Sequence, residues 1–267
     1  MPPITSIHNP RVKNAVRLRG VKGRRAQGRI LIDGVREISR AAEAGLQILE
    51  VFFCPDLCGA EDACSLLKKL ESSSSELLSV TEAVFEKLAF GQRREGLLAV
   101  AKMPHSRLED LCLPDNPLVA VVEGLEKPGN LGAVCRTADA AGVSALISAE
   151  PRTDLFNPNA IRASLGTLFT LPVCESTSRE VIPWLRKRRI RIYAARVDGA
   201  MLYTDADYRG PTAIVLGSEA AGLMPLWTGE DMIPIRLPMR GAADSLNLSV
   251  TAAVLFYEAL RKRTPLP

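Results

Sequence analysis

Three polar stretches carry the side chains that could do chemistry. They are Asn130 to Arg136, Gly217 to Gly222 with Glu219 inside it, and Pro238 to Asn247, where Gly241, Ser245 and Asn247 leave backbone, hydroxyl and amide groups free to grip a ligand. Each begins where an apolar run ends. Ligands of open parallel sheets bind beyond the carboxyl ends of the strands, so three such stretches would converge on one pocket. Each alone also has an ordinary reading, because Asn130, Ser245 or Asn247 would cap a helix in any protein. Two familiar phosphate loops do not fit. Asn130 stands between Gly129 and Gly132 without the GxGxxG spacing of a dinucleotide site. Gly217 to Gly222 has the outer glycine spacing of an ATP loop, but Leu223 and Met224 follow where Lys and Ser or Thr are required. Neither nicotinamide nor ATP chemistry is expected. The six cysteines show no CxxC spacing, and His8 and His105 lie far from any of them that could form a pair, so no metal site is expected.

The elements that must position these residues alternate between strand and helix. In the first part, Arg29 to Gly34, Ile48 to Cys54, Leu77 to Thr81 and Gly96 to Met103 read as strands, with helices between them and a polar loop at Ser72 to Ser75. This predicts a compact α/β unit over residues 1–103. Residues 104–116, bracketed by prolines and without a sustained period, read as a linker. From 117 to 267 a second α/β domain follows. Leu118 to Glu123 is an apolar run suited to a strand covered on both faces. A glycine loop and a helix ending at Gly142 come next, then Ala145 to Ala149, a helix AIRASLGTLF opened by Pro158, and strands at Ile190 to Ala195, Thr212 to Leu216 and Asp231 to Ile235. The class is α/β with a mostly parallel sheet.

The helix after Asn247 is apolar all round. Val250, Ala253, Val254 and Tyr257 follow helical spacing on one side, while Leu248, Ala252, Leu255 and Ala259 fill the other. One sheet covers one side only, so the remaining face calls for a second copy of the chain.

An apolar content of 47% supports sizeable cores. The sequence holds no apolar run of about eighteen residues and no signal-peptide pattern at its start, so a soluble, cytoplasmic protein without a membrane partner is expected. The net charge of +4 is mild, but residues 1–29 carry Arg11, Lys13, Arg17, Arg19, Lys22, Arg24, Arg25 and Arg29 without one acid. That reads as a phosphate-seeking arm. A second cluster, Arg186 to Arg191, adds slightly to a nucleic-acid reading or simply ends a helix.

NLGAVCRTADAAGV (Asn130 to Val143), IVLGSEAAGL (Ile214 to Leu223) and LPMRGAADSLNLSVTAAVLFYE (Leu237 to Glu258) together resemble, in order, the three motifs of the SpoU (TrmH) family of RNA ribose methyltransferases, within the SPOUT superfamily. The first part is similar, from SIHNPRVK to REGLLAVA, to the L30e-like substrate-binding domain that often precedes it. Ala141, Ala220, Leu237 and Leu248 depart from the usual motif residues without removing a reactive group.

The resemblance implies a trefoil-knotted domain, a homodimer with composite sites, S-adenosylmethionine as methyl donor and a ribose 2′-hydroxyl of RNA as acceptor. By motif position Arg136 engages the 2′-hydroxyl. Because arginine stays protonated, its fitting role is to orient the substrate phosphate and stabilise the forming alkoxide. Asn130 and Glu219 hold the loops, and Ser245 and Asn247 line the site. The cofactor would meet Gly217, Leu237 and Leu246, with Met239 and Gly241 nearby. Arg162 and Ser164 lie in a segment the family keeps near the site, so Arg162 joins Arg11, Lys13, Arg17, Arg24 and Arg25 as a candidate RNA contact. The L30e-like unit implies ribosomal RNA of the large subunit. A transfer RNA enzyme, an antibiotic-resistance enzyme acting on the ribosome and a non-catalytic ribosome-assembly protein are the alternatives.

Overall fold

The computed structural model of the chain describes residues 2–73, 75–90 and 95–264; Ser74 of the serine loop and Arg94 of REGLLAVA lie outside them. The chain divides into two compact units, Met1–Pro104 with Phe156–Thr170, and His105–Leu155 with Leu171–Pro267.

The first unit runs α1 (Pro10–Arg17), α2 (Val21–Gln27), β1 (Arg29–Asp33), α3 (Val35–Glu43), β2 (Ile48–Phe53), α4 (Glu61–Glu71), β3 (Glu76–Ser79), α5 (Glu82–Leu88) and β4 (Leu97–Lys102). Its sheet has the order β1-β4-β2-β3, with β4 antiparallel to both neighbours and β2 parallel to β3. Leu97, Ala99 and Ala101 face one core with Ile30 and Ile38, whereas Leu98 and Val100 face another with Leu31, Phe52 and Phe85. This is the two-residue alternation of a sheet covered on both sides.

The basic opening folds as two helices. Asn9 caps α1, accepting from the Arg11 N–H at 2.9 Å. Val12, Ala15 and Leu18 supply the apolar stripe that docks against Phe52 and Phe85. The cations between them mask that stripe when the run is read by charge alone. Gly23 lets α2 lie close to the end of α1, where an added Cβ would stand 2.0 Å from the Arg17 carbonyl oxygen.

The second unit continues with β5 (Leu118–Glu123), α6 (Pro128–Ala140) and β6 (Ala145–Ala149); α7 (Pro158–Ala163) belongs to the first unit. Then come β7 (Val173–Ser176), α8 (Ser178–Lys187), β8 (Arg191–Ala195), β9 (Met201–Leu202), β10 (Thr212–Leu216), β11 (Met232–Arg236) and α9 (Leu248–Arg263). Among the described residues the sheet has the order β7-β6-β5-β10-β8-β11-β9, every adjoining pair parallel. All six residues of β5 are buried, as its unbroken apolar run requires of a strand with neighbours on both sides and cover on both faces.

Two boundaries differ from the sequence expectation. Residues 104–116 do not form a free linker: Leu108 and Leu111 are buried in the second unit's core, and the Trp184 indole N–H donates to the Leu108 carbonyl at 3.0 Å. The prolines there restrict the backbone without removing its apolar anchors. Residues 156–170, expected inside a continuous domain of 117–267, pack with the first unit, where Phe156, Ile161 and Phe169 join the core of Ile30 and Ile38. The expected helix AIRASLGTLF stops at Ala163, because Leu165 and Gly166 both turn to positive φ and the chain resumes as a short 3-10 turn.

Beside this segment, burial pushes the Asp33 carboxyl up from 3.8 to about 6, against the Phe90 N–H at 2.7 Å and the charge of Arg162. The protonated form is the one favoured by folding, so its contribution is complete below pH 3.8 and is lost as pH rises through about 6. Asp33→Asn is expected to raise unfolding stability at pH 7.5 by up to about 3 kcal/mol and to change it little at pH 4. Urea titrations at the two pH values test this; an equal effect at both would contradict it.

Candidate active site

Within the second unit the carboxyl ends of β8, β10 and β11 open on a cavity of about 540 Å³, a volume suited to a small molecule. The loop after β10 supplies Gly217 to Glu219, the stretch after β11 supplies Leu237, Met239, Ser245 and Leu246, and Leu248 and Thr251 of α9 close one side. Gly217 is there because its loop folds on itself. A Cβ at Gly217 would meet the Gly222 carbonyl carbon at 2.2 Å and the Leu223 nitrogen at 2.4 Å. Ser218 and Gly222 exchange N–H···O bonds of 3.0 Å, which closes the loop and carries Glu219 at its tip.

Glu219 is the junction of the three polar stretches. One of its carboxylate oxygens accepts from the Asn130 amide at 2.7 Å and from the Asn247 amide at 2.5 Å; the other accepts from Lys127 at 2.7 Å. The side chain is 30% exposed. The Lys127 hydrogen bond, helped by the Lys127 charge, the Asn130 amide and the Leu248 N–H, holds the carboxyl below the usual range, although partial burial opposes this. Asn247 also caps α9, its side-chain oxygen accepting from the Ser249 N–H at 2.9 Å and the Ser249 hydroxyl at 2.7 Å. The capping and site readings of Asn247 are therefore one arrangement, since the amide nitrogen reaches Glu219 while the oxygen starts the helix.

The remaining sequence candidates divide. Gly217, Leu237, Met239, Ser245 and Leu246 line the cavity, whereas Gly241 is exposed and outside its lining. Arg136 is also outside it. Six residues beyond Asn130 on α6, it points about 120° away around the helix, and it is exposed with no carboxylate partner among the described residues. The RNA candidates need correction. Arg24 is 1% exposed and donates to the Leu18 and Arg19 carbonyls at 2.7 and 2.8 Å, so it fastens the end of α1 and cannot reach a phosphate. Arg11 is 2.6 Å from Glu76 and 3.5 Å from Glu50. Arg162 donates to the Phe90 carbonyl at 2.7 Å within the first unit. Lys13, Arg17 and Arg25 are exposed. No group of three or more His, Cys, Asp or Glu able to hold a metal occurs among the described residues, and no helix among them is long and apolar enough to cross a membrane.

Glu123 escaped the sequence reading. It ends β5, is 2% exposed, and accepts from the Trp227 indole and the Met224 N–H at 2.7 Å each and from the Ser178 hydroxyl. It thereby fixes the segment that follows the Gly217–Gly222 loop. The signal was an acid closing an otherwise unbroken apolar strand, a place where a carboxylate survives only with several donors. Arg196 and Asp198, a bidentate pair at 2.8 and 2.9 Å on the cavity wall, gave no sequence signal beyond their charges.

Comparison with known proteins bears on this arrangement. Residues 117–257 match the SpoU rRNA Methylase family, and residues 9–99 match the MRM3-like substrate binding domain. The 23S rRNA (uridine(2479)-2′-O)-methyltransferase of Streptomyces viridochromogenes is 31% identical over 97% of this chain and 92% of its own length. Among solved structures, an RNA 2′-O ribose methyltransferase aligns with a TM-score of 0.86 at 40% identity, covering 98% of this chain and 99% of its own. The AdoMet-bound rRNA methyltransferase of Sinorhizobium meliloti gives a TM-score of 0.88 at 27% identity, covering 97% of each chain.

Proposed function

The chain belongs to the SpoU rRNA methylase family, and on that premise we propose that it transfers the methyl group of S-adenosylmethionine to a ribose 2′-hydroxyl of large-subunit ribosomal RNA. The observation that carries this reading is the meeting of Asn130 in the first turn of α6, Glu219 on the loop after β10 and Asn247 capping α9, beside the cavity lined by Gly217, Leu237 and Leu246. The cavity fits the donor. Apolar Leu216, Leu237 and Met239 offer cover to a purine, and with Asp198 paired to Arg196 and Glu219 to Lys127, Asp244 is the lining acid left to face a sulfonium cation. When bound, that cofactor supplies an electrophilic methyl group; the protein supplies position.

Arg136, with its planar guanidinium fork, is the group suited to bind the phosphate beside the target ribose and to stabilise negative charge on its oxygen. Its exposure on α6, away from the cavity of its own chain, favours a site completed between two copies. The helix α9 supports the same homodimer: Leu248, Leu255 and Phe256 are buried in the chain, yet Val250 and Tyr257 are 47% and 50% exposed on the opposite face. A trefoil knot belongs to the same proposal, supported by the likeness to solved members of the family. The first unit presents the RNA, as its match to a substrate-binding domain suggests, with Lys13, Arg17 and Arg25 as the cations open to phosphate. Action on ribosomal RNA argues for the cytoplasm.

Mapping of 2′-O-methyl positions in 23S ribosomal RNA, from cells with and without the gene, tests the reaction: one methyl is expected to vanish, and an unchanged map would reject the reading. For the homodimer, Val250→Asp with Tyr257→Asp is expected to halve the sedimenting mass and to abolish turnover. A variant that stays dimeric, or a native chain that sediments as a monomer, would remove the second copy from the site.

A further inference from the structure

At the corner where α8 gives way to β8, five of the six residues from Arg186 to Arg191 are cationic. Two are neutralised. Arg186 makes two 2.7 Å bonds to Asp231, and Arg191 lies 3.7 Å from Asp207. Lys187, Arg188 and Arg189 are exposed and pair with no carboxylate among the described residues. Arg188 is held in place all the same. Its guanidinium lies 4.2 Å from the ring centre of Trp184, and Trp184 is itself anchored by its N–H to the Leu108 carbonyl. Stacking leaves the edge of the guanidinium fork free for an outside acceptor.

Arg189 is the more telling residue. The Ile190 N–H reaches back to the Leu185 carbonyl at 3.1 Å and Arg189 stands at φ 55°, so the helix stops in the left-handed turn that glycine ordinarily fills. A cation at the last turn is explained by the helix dipole, but a strained arginine beyond that turn is not. No large apolar side chain is exposed in α8 or β8, so this corner offers nothing to a bilayer interior. Trp184 is buried and unavailable to stack on a base. What remains is three neighbouring exposed cations on a fixed backbone turn, one of them held by stacking, and guanidinium forks suit phosphate oxygens.

We propose that Lys187, Arg188 and Arg189 form a second contact for the ribose–phosphate backbone of the substrate RNA, at the amino end of β8, whose carboxyl end borders the cavity. The strand separates the two by roughly 15 Å, so the contact selects a structured RNA over a free nucleoside. This rests on the reading of the protein as an RNA enzyme.

The test is binding of a 23S ribosomal RNA transcript across a salt series, for the native protein and for Lys187→Ala/Arg188→Ala/Arg189→Gly, with Arg179→Ala at the far end of α8 as control. The triple variant is expected to bind about tenfold more weakly near 0.1 M salt, with a salt slope shallower by about two. Its cofactor affinity is expected to be native, and Arg189→Gly alone to melt no lower than native, because glycine relieves the turn. An unchanged affinity and slope would overturn the proposal. So would an equal loss in Arg179→Ala, or a loss confined to anionic phosphatidylserine vesicles with RNA binding intact. A native protein that fails to bind the transcript would instead reject the functional reading itself.

Discussion

Arg136→Ala is expected to lower kcat about 10²- to 10³-fold, the loss typical of removing one preorganised donor from a developing oxyanion, with cofactor affinity and melting temperature near native. The separation of effects follows from where the residue stands. Arg136 is exposed, outside the cavity lining and without a carboxylate partner, so its removal leaves no buried group unpaired and disturbs no packing. Arg136→Lys keeps the charge but not the two-pronged geometry, and should recover part of the loss at saturating RNA. Single-turnover methylation of RNA with bound cofactor distinguishes these outcomes. Near-native turnover in the alanine variant would remove Arg136 from the reaction.

Glu219→Ala should act differently, through the loops. It deletes the acceptor shared by Lys127, Asn130 and Asn247, and kcat/KM is expected to fall about 10- to 30-fold, a modest sum for three partly solvated bonds. Cofactor affinity should fall with it, since the residue stands in the cavity wall. Glu219→Gln retains an oxygen for the two amides and loses chiefly the Lys127 pair, so a smaller defect is expected. The pH dependence has a definite sign. The carboxyl is held below its ordinary 4.5 in the fold, so the stabilisation it gives is complete above that value and is lost as pH falls through the lower, folded one. Cofactor binding followed by calorimetry from neutral to acid pH should show that loss in the native protein and not in Glu219→Gln. Native-like affinity in Glu219→Ala would deny the junction any role.

The convergence of the three polar stretches was legible because each follows an apolar strand and parallel strands deliver their carboxyl ends to one edge, although the stretch expected as a glycine loop around Asn130 is already the first turn of α6. The strand runs Leu118 to Glu123 and Thr212 to Leu216 coincide with β5 and β10 for the same reason. The basic opening was misread because composition reports charge and not direction: Arg24 and Arg25 are neighbours in sequence, yet one is buried on backbone carbonyls and the other exposed. Glu123 was missed for the reverse reason, as its donors, Ser178, Met224 and Trp227, come from segments that no local pattern joins to it. Arg136 shows a third limit. Helical spacing from Asn130 already turns it to another side of α6, so a motif that is continuous in sequence is not one surface of one chain.

The excursion of residues 156–170 into the first unit means that the polypeptide passes between the units three times, near residues 104, 155 and 170. A truncated chain beginning at residue 105 would keep the whole cavity but strip Phe156, Ile161 and Phe169 of the core that buries them. Such a fragment should be sticky and poorly expressed despite its intact chemistry. By the same logic the first unit cannot be traded for another by simple recombination at the proline-bracketed junction, since a replacement would have to carry a matching bed for those three side chains.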